Sequence, residues 1–61
     1  MNIACIKNNI VTNTVVFESL EMAQEFFNKG LIPNTDTVVE LQEGFGINDS
    51  YIDETFSKQE G

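Results

Sequence analysis

The stretch "ACIKNNIVTNTVVF", residues 4–17, constrains this chain more than any other. It reads as two strands joined by a two-residue turn at Asn8-Asn9. Asn tolerates positive φ better than most residues, as a type I′ hairpin turn requires at both central positions. The first arm is rich in Ile, Ala and Cys, and the second carries Ile, Val, Thr and Phe, which are strand formers. Side chains alternate across a strand. A two-residue loop pairs Lys7 with Ile10, Ile6 with Val11 and Ala4 with Asn13. One face then carries Ala4, Ile6, Val11, Val15 and Phe17 around Asn13. The other carries Ile3, Cys5, Ile10 and Val16 beside Thr12 and Thr14. A bulge would shift this register by one. Both faces are apolar, so both need a cover.

The chain is short of material for two covers. Sixty-one residues make one domain, and a chain of this size buries only about 60% of its unfolded surface. Small domains are commonly stapled by disulfides, metals or oligomerisation. Cys5 is the single cysteine and there is no histidine, so neither an internal disulfide nor a zinc site is available. Oligomerisation remains. The expectation is therefore that a helix covers one hairpin face and a second copy of the chain covers the other, through Ile3, Cys5, Ile10 and Val16. The pattern leaves open which face meets the helix.

Ser19 suits a helix N-cap, because its hydroxyl can accept a first-turn amide. Glu18 and Glu21 sit where the helix dipole favours negative charge. "LEMAQEFFNKG" places Leu20, Ala23 and Phe27 on one stripe, with Met22 and Phe26 alongside. Gly30 is the expected C′ residue, and Leu31 is placed to close a Schellman contact. Adjacent Phe26 and Phe27 lie about 100° apart around a helix axis, so one of them falls at the edge of the core. Residues 37–41, "TVVEL", read as a third strand. "EGFGIND" is a bend in which Gly44 and Gly46 flank a Phe45 that folds back on the core. "SYIDETFS" reads as a last hairpin turning near Asp53-Glu54. The predicted class is α+β: a two-layer domain over residues 1–57, one helix on an antiparallel sheet in the order ββαβ, with a C-terminal β-hairpin and a frayed tail at 58–61.

Little in the chain resembles a chemical site. The hydrophobic fraction of 41% fits a globular domain. Ten acids against Lys7, Lys29 and Lys58 give a net charge of −7, which repels nucleic-acid phosphates and anionic membranes and suits a basic partner. Residues 49–60 have the length and the end residues of an EF-hand loop. However, Tyr51 stands at its third place and Glu54 at the sixth, where glycine belongs. Asp53 and Glu54 are neighbours on a turn and point apart, unlike a glycosidase pair. Cys5 has no His to activate it and reads as a buried small hydrophobe. "GFG" lacks the Lys-Ser/Thr of a P-loop. No catalytic, cofactor-binding or metal-binding residue is assigned, no cofactor is expected, and the chain reads as a non-enzyme. Phe26, Glu21, Glu25, Asp53 and Glu54 are the candidates for contact with a partner. "MNIACIKNNI" lacks the basic-then-apolar layout of a secretory signal, and no apolar run reaches the roughly 20 residues of a membrane span. An intracellular chain with a reduced thiol is expected.

Several segments together carry a resemblance. Ala4, Cys5, Ile6, Lys7, Asn8 and Asn9 are followed by Val11, Asn13, Val15 and Val16. Then come Glu18, Ser19, Glu21 and Ala23, the strand Val38, Val39 and Glu40, the bend Gly44, Gly46 and Ile47, and finally Tyr51 and Phe56. This order resembles short phage-encoded proteins associated with virions or tail fibres, whose Asn-turn hairpin precedes a helix. The chain departs from them at Ile52-Asp53, where their turn is Asp-Gly, and lacks a Trp before the Tyr. The resemblance brings no catalytic residue with it. It implies a role through contacts with itself, with another phage protein or with a host protein, in the host cytoplasm or the virion. The role would be that of a self-associating virion accessory, or alternatively of an anti-defence inhibitor whose acidic surface blocks a host nuclease or helicase.

Overall fold

The computed structural model describes residues 1–58; of the tail expected to fray, residues 59–61 lie outside it. The elements are β1 (Asn2–Lys7), β2 (Ile10–Val16), α1 (Leu20–Asn28), β3 (Thr37–Glu40), β4 (Ser50–Ile52) and β5 (Thr55–Ser57). This is an α+β fold with one helix and one antiparallel five-stranded sheet, ordered β3-β1-β2-β4-β5.

The turns form where the residue chemistry favours them. Asn8 and Asn9 have φ of 53° and 65°, as a type I′ turn demands. Asp53 and Glu54 repeat the arrangement, at 52° and 63°, between Ile52 and Thr55. At the helix start, the Ser19 hydroxyl accepts the Met22 amide at 3.2 Å. At its end Gly30 has φ of 76°. The Gly30 amide donates to Phe27 O and the Leu31 amide to Phe26 O, the two bonds of a Schellman motif. Leu31 itself stays 60% exposed.

The hairpin contains a bulge. Lys7 pairs with Ile10 and Ile6 with Val11, but Cys5 pairs with Asn13, Ala4 with Thr14 and Ile3 with Val15. Thr12 is the extra residue, and its hydroxyl donates to Cys5 O at 3.3 Å. One inserted residue inverts the facing of everything beyond it. Val15 and Phe17 therefore join Ile3 and Cys5, and Val16 turns to the Ala4 side.

Each face of the hairpin is covered from within the chain. Ile3, Cys5 and Val38 pack against Ala23 of the helix, with Leu20, Phe27 and Ile32 around them. Ala4, Ile6 and Val11 form a second cluster with Val39, Leu41, Tyr51 and Phe56. Tyr51 and Phe56 belong to β4 and β5, so the sheet curls until its far hairpin lies beneath its own centre. The helix thus covers one face of the hairpin, and the curl of the sheet the other.

The expectation of an intermolecular face built from Ile3 and Cys5 is corrected here. Both are buried by the helix of the same chain, at 0% and 1% exposure. Ile10 is half-buried at the end of β2. Val16, at 75% exposure, is the one member of that set presented to solvent.

Candidate functional site

The curl leaves an open groove of about 630 Å³ beside β3. Its apolar floor comes from Val39, Leu41, Tyr51 and Phe56. These side chains also roof the Ala4–Ile6–Val11 cluster, so the floor is the outer surface of the second core. Glu40, Glu43 and Glu54 line the same groove. β3 and β5 are the two terminal strands of the sheet, and both contribute lining residues.

Aromatic contacts hold the floor in place. Tyr51 and Phe56 lie 4.7 Å apart between ring centroids, and Phe45 stacks on Phe56 at 5.4 Å. Phe45 is thus folded back, onto the C-terminal hairpin. Lys58 Nζ sits 5.1 Å from the Phe45 centroid and 3.3 Å from Asp49 Oδ2. The other lysines are also matched with acids: Lys7 lies 3.6 Å from Asp36, and Lys29 lies 3.7 Å from Glu25. Among the described residues, no ion pair joins the three groove carboxylates to a lysine.

Asp49 shows what sequence reasoning missed. With the calcium-loop reading of residues 49–60 set aside, the sequence makes it one acid of a solvated hairpin. It is instead 9% exposed. Its carboxylate accepts the Gly46 amide at 2.8 Å, and its backbone carbonyl accepts the Val11 amide at 2.8 Å. It pins the bend to the start of β2, at Val11. The signal was present as Gly46-Ile47-Asn48-Asp49, an Asp three residues beyond an amide it can accept. Among the described residues no group of three or more His, Cys, Asp and Glu is arranged to hold a metal ion.

The candidate partner-contacting residues do not converge. Glu54 lines the groove. Asp53 occupies the exposed β4–β5 turn. Glu21 and Glu25 share another shallow depression on the helix. Phe26 is 39% exposed and packs edge-on against Phe17 at 5.2 Å. Phe27 is the one that enters the core cluster.

Two groups have shifted acidities. Burial pushes the Cys5 thiol upward, opposed by a hydrogen bond with Thr35, which keeps it protonated and a poor nucleophile. The Asn8 amide, followed by Lys7, holds Asp36 below its ordinary value despite some desolvation.

No family model, curated protein or solved structure matches the chain. Among the described residues, no helix is long and apolar enough to cross a membrane.

Proposed function

We propose that this is a non-enzymatic binding protein that acts through its acidic surface on a basic partner. One observation carries the reading: the chain covers both faces of its own hairpin, so the prominent unmatched feature left outside is charge. Among the described residues, Glu18, Glu21, Glu40, Glu43, Asp53 and Glu54 form no ion pair, and each lysine is paired with a different acid. An acidic surface of this kind competes with phosphate for a basic channel, and the competition weakens as salt screens it. The resemblance to phage-encoded proteins makes a host nuclease or helicase the first partner to try. The test is a nucleic-acid binding assay on such enzymes with the protein added at about 50 mM and 500 mM salt. Inhibition at low salt that fades at high salt is expected. No inhibition of any basic nucleic-acid enzyme at low salt would overturn the reading.

A separate observation favours the virion reading, in which the protein self-associates. β4 joins β2 only at Ile10 and Ser50. From Thr12 to Val16 the outer side of β2 therefore has no neighbouring strand among the described residues. That segment is uncharged, and Val16 is its exposed apolar residue. Two copies can pair there at less electrostatic cost than elsewhere on a −7 chain. The Thr14 amide is already taken by Asn13 Oδ1 at 2.9 Å, which works against such pairing. Light scattering over a range of concentrations decides: a dimer abolished by Val16→Lys supports this second reading, and a concentration-independent monomer removes it.

A further inference from the structure

We infer that the groove between β3 and the curled C-terminal hairpin receives an extended basic segment of a partner protein, with arginine and apolar side chains alternating. The inference rests on the acidic-surface reading above and gives it a location.

Charge complementarity identifies the occupant. The groove offers three carboxylates, Glu40, Glu43 and Glu54, and no lysine lines it. An acidic or neutral segment would leave those charges unmatched beside an apolar floor, whereas arginine satisfies both. Its guanidinium donates paired hydrogen bonds to carboxylates and stacks on aromatic faces such as Tyr51 and Phe56. Lysine offers a compact, strongly hydrated charge that does neither as well.

Strand geometry identifies the conformation. Val39 and Leu41 belong to the second core cluster, whereas Val38 belongs to the first. Glu40, between Val39 and Leu41, belongs with the first side by alternation. All of Val39, Glu40 and Leu41 nevertheless line the groove, which therefore follows the rim of β3 and reaches round it to Leu20 at the helix start. β3 is a terminal strand and, among the described residues, pairs only with β1. An incoming strand can add to such an edge through its backbone while its alternate side chains meet the floor and the acids. β3 spans four residues, enough for a segment of about four to six residues. The terminal strand β5 supplies Phe56 on the far side of the groove.

The experiment uses a dye-labelled, end-capped peptide of about six residues alternating arginine and valine, with amide chemical shifts recorded on the full chain. Binding at low salt is expected, with the largest shifts at residues 39–43 and 51–56. The variant Glu40→Gln/Glu43→Gln/Glu54→Gln should bind at least about tenfold more weakly. Glu18→Gln/Glu21→Gln/Asp53→Asn, which removes the same charge from the acidic surface outside the groove, should weaken binding by no more than about twofold. Thermal melts of both variants confirm that they fold. Equal weakening by the two variants, or shifts centred on Glu21 and Glu25, would overturn the groove and leave the acidic-surface reading standing. Equal binding of an arginine-only peptide would overturn the apolar part of the inference. No binding of either peptide at low salt would overturn both the groove and the broader reading.

Discussion

Asp36 ties three parts of the chain together. Its carboxylate accepts the Asn8 amide at 2.9 Å and faces Lys7, and its own amide donates to Ile6 O at 2.7 Å. The hairpin turn is thereby fastened to the entry of β3. Because the Asp36 carboxyl is held below its ordinary value, the unfolded chain binds the proton more readily. The resulting stability is present above the unfolded value and is lost as pH falls through the folded one. Asp36→Asn should thus be less stable than the parent at neutral pH, and the gap should close as pH drops below the ordinary aspartate range, read by urea melts at several pH values. Cys5 offers a second test at this scale. With 1% exposure and a pKa raised by burial, it should react with a thiol reagent roughly a hundredfold or more slowly in the native than in the denatured protein. Rapid native labelling would place it outside the core.

The hairpins and the helix obey local rules. The Asn8-Asn9 turn has both centres at positive φ, and Asn-Gly is the better pair for that geometry. Asn9→Gly should therefore raise stability by about 0.5–1 kcal/mol, measured by urea denaturation. The helix was legible in detail, from the Ser19 cap to Gly30, because capping depends on residues a few positions apart. The last hairpin was legible for the same reason, even though Asp53-Glu54 puts an acid where glycine is easier. The bulge at Thr12 was not. Thr has no local property that marks it as an extra residue, and its insertion is decided by how β1 and β2 must each meet their covers. That single residue moved Val15, Val16 and Phe17 to the opposite faces from those an unbulged register gives.

At the scale of the whole molecule, stability depends on the C-terminal hairpin closing the second core. Phe56 touches that core and both neighbouring aromatics. It is half-buried, so Phe56→Ala should cost about 2–3 kcal/mol, below the usual range for a fully buried Phe. A domain of this length has a total stability of only roughly 3–9 kcal/mol, so the variant should be close to unfolding at 25 °C. Val16→Ala, at an exposed site, should change stability by no more than about 0.5 kcal/mol. A large loss there in dilute solution would mean that a second copy contributes to the fold after all.

Local chemistry in the sequence determined the turns, the caps, the helix, the third strand and the presence of two apolar faces on one hairpin. It also determined that no disulfide and no histidine site would hold the domain together. What covers the second face was decided by tertiary structure, through interactions between residues distant in sequence. Asp49 bonds to Gly46 and to β2, β4 joins β2 by one residue pair, and Tyr51 and Phe56 swing beneath Ala4 and Ile6. None of these follows from periodicity, because alternation shows that a face is apolar and carries no record of which distant segment will reach it. The groove beside β3 arises in the same way: of Glu40, Glu43 and Glu54 the sequence singled out Glu54 alone, and only the curl of the sheet brings the three to one apolar floor.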